Sequence, residues 1–297
     1  ANWLIYKNQT MITPQTEHPE LAREIGVLRL YFKREDLHPY GSHKGRSIPV
    51  MIDTKASGGA TRFAVSSSGN AALAAIRHIQ ERNTAGGELS LSVFIGKHIN
   101  PEKKKKLLSE IHDERIIIKE TDRPLQALSK SGGESLRQST NPLALTGYET
   151  LAAEISETPE LSDVFISVSS GTAAQALADY FIANKKSVAV HIVQPAGNSS
   201  IAGDFDTEKR KKEISIADAI VDKTARRKEA LINAVRETGG AGWVVSNDET
   251  RQAQKFLLEK AGMEATPNGI LGFAGLLRAV SKGAKFHSAV VCVITGR

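Results

Sequence analysis

Twice in this chain a run of β-branched and other apolar residues empties into a turn of small polar residues and then into an alanine-rich helix. The first run is Ala64-Val65-Ser66-Ser67-Ser68-Gly69-Asn70-Ala71-Ala72 and the second is Val164-Phe165-Ile166-Ser167-Val168-Ser169-Ser170-Gly171-Thr172-Ala173-Ala174. Strands that are apolar at consecutive rather than alternate positions are covered on both faces, which is the situation of a parallel sheet. The same strand and helix alternation places strands at 28–32, 62–65, 89–95, 116–118 and 188–193, and helices at 47–54, 70–81, 101–108 and 124–130. A last apolar strand, Val290-Val291-Cys292-Val293-Ile294, ends in the hydroxyl of Thr295. Only 5% of the 297 residues are aromatic, so the core must be built from Ala, Val, Ile and Leu, as in α/β folds. Two such series predict an α/β chain of two lobes, each with a mainly parallel, helix-covered sheet, and ligands gathered at the carboxyl ends of the strands.

One segment carries nucleophilic chemistry. Lys33-Arg34-Glu35-Asp36-Leu37-His38-Pro39-Tyr40-Gly41-Ser42-His43-Lys44-Gly45-Arg46 reads as a strand end, a turn with Pro and Gly, and a helix whose first turn holds Lys44. An amine that loses its proton near neutral pH is a nucleophile toward an aldehyde. The plainer reading is a solvated lysine at a helix start. The two small-residue turns add backbone N–H groups at helix starts, which suit a carboxylate or a phosphate, although such a turn is more commonly only a helix cap.

Taken together, these pieces resemble the fold type II, or tryptophan synthase beta-like, pyridoxal-phosphate-dependent enzymes, and within them threonine synthases and serine/threonine dehydratases. Residues 33–46 are similar to the family segment Lys-x-Glu-x-x-x-Pro-x-Gly-Ser-x-Lys-x-Arg, which would make Lys44 the catalytic lysine holding the cofactor as a Schiff base. Ser67-Ser68-Gly69-Asn70 matches the family's Ser-Ser-Gly-Asn loop. The resemblance then assigns Ser67, Ser68, Gly69, Asn70 and Ala71 to the substrate carboxylate, with Asn70 also facing the cofactor's 3′-oxygen. Ser169, Ser170, Gly171, Thr172 and Ala173 stand where the family binds the cofactor phosphate, and Thr295 where a hydroxyl or thiol meets the pyridine nitrogen. A neutral partner there biases chemistry toward elimination and replacement. Gly147-Tyr148-Glu149-Thr150-Leu151-Ala152-Ala153-Glu154-Ile155 resembles the synthase and dehydratase pattern Gly-x-x-Thr-x-x-x-Glu-Ile.

The resemblance spans residues 13–296 and implies the cofactor in the cleft between the lobes. Residues 1–44 and 146–297 would form the larger, cofactor-binding lobe, and 45–145 a smaller, mobile lobe that takes the substrate. The activity implied is that of a lyase converting O-phosphohomoserine to threonine, with deamination of serine or threonine to a 2-oxo acid as the alternative. The family implies a homodimer acting in amino-acid metabolism; the lack of an apolar span and of a charged-then-apolar opening places the expected enzyme in the cytoplasm, and a single cysteine gives no metal constellation. Two departures stand out. The phosphate loop has a single glycine, Gly171, and Thr266 stands where a glutamate is usual, so an acid near the substrate is missing. These keep open a cofactor-binding protein without efficient turnover.

Composition excludes other classes. With 39 basic against 33 acidic residues the chain carries a net +6, modest for its length, and the run Lys103-Lys104-Lys105-Lys106 points around a helix rather than along one stripe. A solvated face is therefore expected there, with no nucleic-acid partner; a basic nucleic-acid-binding module is the alternative of another class. The single cysteine, Cys292, excludes an internal disulfide and reads as a core thiol. No run reaches the ~18 apolar residues of a membrane span, so no membrane partner is expected. The charged segment 204–213 reads as a surface loop, and His191 and His287 as packed rather than catalytic.

Overall fold

The computed structural model describes residues 12–208, 210 and 213–296. In chain order the strands are β1 (Gln15–Glu17), β2 (Arg29–Arg34), β3 (Arg62–Ser66), β4 (Ser90–Gly96), β5 (Ile116–Thr121), β6 (Glu134–Ser135), β7 (Leu161–Ser167), β8 (Ala189–Pro195), β9 (Gly242–Val245) and β10 (Ala289–Ile294). The helices are α1 (Pro19–Ile25), α2 (Lys44–Ser57), α3 (Asn70–Thr84), α4 (Pro101–Ser109), α5 (Pro124–Ser129), α6 (Leu143–Ser156), α7 (Thr172–Ala183), α8 (Lys228–Glu237), α9 (Asn247–Ala261) and α10 (Pro267–Ser281). The chain divides into two compact units, Ala1–His38 with Tyr148–Arg297, and Pro39–Gly147. One crossing falls inside the lysine segment, so Lys33, Glu35 and Asp36 belong to the larger unit and Lys44 to the smaller.

The larger unit is built on a sheet ordered β1-β2-β10-β7-β8-β9 among the described residues. Every pair is parallel except β1 with β2. The last strand of the chain therefore sits in the middle of the sheet, buried along its whole length. Its register on β2 sets Ile294 opposite Arg34, which brings the ends of β2 and β10 to one edge. Helix α10 covers β7, β8 and β10 with Ile270, Leu271, Phe273 and Ala274, and Phe273 meets Phe32 edge-on at 5.2 Å between centroids. Cys292 lies in this core, fully buried, and burial holds its thiol well above the usual range.

Several charged residues buried in this unit are paired, as desolvation requires. Lys33, 1% exposed, donates to Glu154 Oε2 at 2.5 Å and to the Thr13 carbonyl at 2.8 Å. That pair accounts for the glutamate of the Gly-x-x-Thr-x-x-x-Glu-Ile pattern. Glu35 accepts from Thr13 Oγ1 at 2.5 Å, and Asp36 accepts two bonds from Arg34. His191 stacks on Phe165 and bonds Asp163 at 2.9 Å, the packed role its strand position predicts.

The segment at 204–213 is more than a surface loop. Asp206 is held by two nitrogens of Arg278, with Nη2 to Oδ2 at 2.9 Å, and it accepts from the Val244 amide. Arg278 also reaches Glu208 and Glu249, while Glu249 takes a two-pronged contact from Arg210. Charged residues, legible only as solvated, here tie the loop to α9 and α10. Residues 209, 211 and 212 and Arg297 lie outside the described residues.

The smaller unit holds a sheet ordered β5-β4-β3-β6, parallel throughout. Its core packs Ile48, Met51 and Ile52 of α2 against Phe63, Val65, Ile76 and Ile79. The lysine run lies on α4, where Lys105 and Lys106 are exposed and Lys104 pairs with Glu120 at 2.6 Å. Among the described residues no helix is long and apolar enough to cross a membrane, and no cluster of three or more His, Cys, Asp or Glu is placed to hold a metal.

Candidate active site

In the smaller unit, Lys44 opens α2 after a turn whose geometry the sequence dictates. Gly41 takes φ +80°, the left-handed region that glycine enters without cost. Ser42, fully buried, accepts the Lys44 amide through Oγ at 3.3 Å, and its carbonyl accepts the Gly45 amide at 3.0 Å. One turn further, Ser47 donates to the Ala144 carbonyl at 3.0 Å. A Cβ on Gly147 would stand 2.5 Å from Ser47 Cα. The glycine of the 147–155 pattern is therefore what lets α6 pass this close to the lysine helix.

Burial lowers the Lys44 ammonium from its ordinary 10.5 to about 8. The residue as a whole keeps intermediate accessibility; it is the density of protein around the charged end that penalises the ammonium. At pH 7 this raises the neutral, nucleophilic fraction by roughly two orders of magnitude over an unperturbed lysine. Reductive methylation across a pH series checks it. Lys44 is expected to label with a midpoint near pH 8, falling about tenfold per unit below that.

The loop after β3 holds the second group. Ser67 accepts the Gly69 amide at 3.2 Å, and the Gly69 carbonyl accepts from Ala72 and Leu73. No side chain caps α3, so the amides of Asn70 and Ala71 at its start are left as donors for an anion. Ser67, Ser68, Gly69, Asn70 and Ala71 are all half-buried. Lys44 and this loop belong to one unit, on helices α2 and α3 that pack together.

In the larger unit, Gly171 takes φ +82° at the start of α7, and a Cβ there would come within 2.5 Å of Leu231 Cδ2. This is why one glycine remains in an otherwise hydroxyl-rich loop. No side chain caps α7, while Ser170 Oγ and Thr172 Oγ1 lie 3.0 Å apart, and Ala173 follows in the first turn. Ser169 plays another part: its Oγ accepts the amides of Val221 at 3.2 Å and Asp222 at 3.3 Å, so its hydroxyl pins the 221–222 segment beside the loop.

Thr295 Oγ1 donates to the Asn268 carbonyl at 3.4 Å and lies 3.0 Å from Ser167 Oγ, at the shared carboxyl edge of β7 and β10. Ser167 and Asn268 were not singled out by sequence, although Ser167 stands in the same strand-to-turn run. Asn268 also fastens the 218–219 segment, through Ala219 and Asp218. Thr266 caps α10 by accepting the Gly269 amide at 3.2 Å and donates to the Gly296 carbonyl at 3.1 Å. It secures the strand end behind Thr295.

The cations that could meet a second anion are differently placed. Lys33 is committed to Glu154, and Lys97 pairs with Asp122 on the exposed surface at 2.8 Å. Arg46 is buried on α2, two residues beyond Lys44.

Comparison with known proteins identifies the family. The sequence profile of the family described as pyridoxal-phosphate dependent enzyme matches residues 8–296. The threonine synthase of Methanocaldococcus jannaschii is 27% identical over 313 residues, covering 96% of this chain and 74% of that protein. Serine racemase from Dictyostelium discoideum superposes with a TM-score of 0.81 at 17% identity, covering 98% of this chain and 94% of that one. The processed form of threonine deaminase isoform 2 from Solanum lycopersicum gives a TM-score of 0.78 at 19% identity, over 96% and 84%. A profile match running almost end to end, on two parallel-sheet units with the lysine at a helix start, means that the chain belongs to the family of pyridoxal-phosphate dependent enzymes.

Proposed function

We propose that this protein is a lyase that uses pyridoxal phosphate to eliminate and replace a substituent on a small amino acid, in the manner of a threonine synthase. The observation that carries the reading is the Lys44 amine, lowered to about 8 at the start of α2, in a chain whose relatives include a threonine synthase over 96% of its length. The donor set fits the cofactor. The uncapped start of α7 with the Ser170 and Thr172 hydroxyls suits its phosphate, the neutral Thr295 hydroxyl suits its ring nitrogen, and Lys44 suits its aldehyde. When bound, pyridoxal phosphate supplies an electron sink for charge developing at the substrate Cα.

The protein's own residues supply the rest. Neutral Lys44 takes the Cα proton as general base and returns protons later in the cycle. The Asn70 and Ala71 amides, with the Ser67 and Ser68 hydroxyls, hold the substrate carboxylate and so fix which Cα bond faces the base. For O-phosphohomoserine, a Cβ proton and the Cγ phosphate leave first, and water then adds with its hydroxyl at Cβ and a proton at Cγ, giving threonine and inorganic phosphate. Deamination of serine or threonine to a 2-oxo acid and ammonia is the second reading. The engagement of Lys33 by Glu154 and of Lys97 by Asp122 favours it, because phosphohomoserine needs a second anion site and deamination does not.

The test starts with an absorbance scan of the purified protein. A band at about 410–430 nm is expected, with borohydride fixing the cofactor's mass on the Lys44 peptide. Release of phosphate from O-phosphohomoserine identifies the synthase, and 2-oxo acid from threonine or serine the dehydratase. A protein that gains no chromophore on adding pyridoxal phosphate overturns both readings.

A further inference from the structure

One imidazole in the smaller unit holds both flanks of Lys44. His78, 8% exposed on α3, lies with Nδ1 3.0 Å from the Tyr40 hydroxyl and Nε2 2.8 Å from Asp53 Oδ1. Tyr40 stands four residues before Lys44, in the turn that delivers it; Asp53 stands nine residues after it, on α2. The Tyr40 hydroxyl also donates to Glu81, and the Arg77 guanidinium reaches the Pro39 carbonyl at 3.4 Å. Arg82 adds a contact to Asp53 at 3.4 Å. The 39–41 turn and the body of α2 are thus both fastened to one face of α3.

The same α3 begins at Asn70, directly after the Ser67-Ser68-Gly69 loop. An α-helix from Asn70 to His78 is a stiff rod of about 12 Å. The distance from the Asn70 and Ala71 amides to Lys44 is therefore fixed through His78 rather than through the 23 residues between Lys44 and Ser68. We propose that His78 is a positioning residue of the active site, which through Tyr40 and Asp53 sets where the Lys44 amine stands relative to the Ser67–Asn70 anion loop. No alternative chemistry is asked of it. Its two nitrogens are spent on the tyrosine and the carboxylate, and its low exposure keeps water from competing. The proposal rests on the reading of Lys44 as the cofactor lysine.

The variants are His78→Leu, which removes both bonds at similar volume, and Tyr40→Phe, which removes a single hydroxyl. Asn83→Ala serves as the control for general loosening, since Asn83 on the same helix binds Leu89 and Asp113 instead of the lysine flanks. For each, two quantities are read: the midpoint of reductive methylation of Lys44 in the cofactor-free protein, and the apparent dissociation constant for pyridoxal phosphate from its absorbance. His78→Leu is expected to move the methylation midpoint and to weaken cofactor binding roughly tenfold, the effect of losing one buried hydrogen-bonded pair. Tyr40→Phe should shift both in the same direction by less, and Asn83→Ala should leave both at wild-type values despite a lower melting temperature. If His78→Leu and Tyr40→Phe both keep the wild-type midpoint and dissociation constant, or if Asn83→Ala shifts them equally, the positioning role is overturned. Failure of the wild-type protein to take up the cofactor would instead sink the cofactor reading, and the methylation series distinguishes the two because it needs no cofactor.

Discussion

Replacing Lys44 with alanine is expected to lower turnover by about 10^3-fold or more, because on the proposed reading the residue would serve both as the attachment point and as the proton-transferring base. The fold should survive. Lys44 sits at the first position of α2 and keeps part of its surface open, so the truncated side chain leaves no enclosed cavity. Lys44→Arg is the sharper test. It preserves the charge and most of the volume, but a guanidinium does not give up its proton near neutrality, so this variant should be as inactive as the alanine one. Activity within tenfold of wild type in Lys44→Arg would show that the position contributes only charge. The pH profile carries the same argument: a base titrating at about 8 is ionised and idle below that pH, so the limb of the rate profile governed by free Lys44 rises toward pH 8 and levels off above it.

The second large effect is on stability. Arg278, 3% exposed at its side chain, faces Asp206, Glu208 and Glu249. Arg278→Leu would leave the Asp206 carboxylate, itself only 8% exposed, buried without its cation, with Glu208 and Glu249 close by. Uncompensated buried charge of this kind costs about 3–5 kcal/mol, and a urea titration of the full chain should show the transition of the larger unit move to lower denaturant by that amount. Burial already raises the Glu249 carboxyl above its usual range, against the Ser246 hydrogen bonds that lower it. Arg278→Lys restores a charge but not the two-pronged geometry and should recover only part of the loss. A change below ~1 kcal/mol in Arg278→Leu would mean that water reaches the cluster and screens it.

Much of this architecture is legible in the residues because its signals are local. Consecutive β-branched positions announced doubly covered strands, and β7, β8 and β10 are buried where those runs lie. The small-residue turns announced helix starts, and α3 and α7 begin at Asn70 and Thr172. The solitary thiol of Cys292 and the lysine run of α4 took the plain roles that their neighbours in sequence indicated.

What the residues in order could not disclose is whatever depends on partners far along the chain. Thr266 read as a missing acid, and became a helix cap through contacts with Gly269 and Gly296. Lys33 read as a cation near a motif, and was claimed by Glu154, 121 residues away. The charged 204–213 stretch lacks any period, yet Asp206 is anchored by Arg278, 72 residues on. His78 gave no signal at all, since a histidine inside an alanine-rich helix has no pattern of its own until Tyr40 and Asp53 are folded onto it. The sequence by itself determined the α/β class, the helix that carries Lys44 and the small-residue turns, because backbone conformation and apolar periodicity are short-range properties of neighbouring residues. Only the tertiary structure decided which charges neutralise one another and which amine is shifted toward reactivity, because desolvation and pairing are properties of the space around a group and not of its place in the chain.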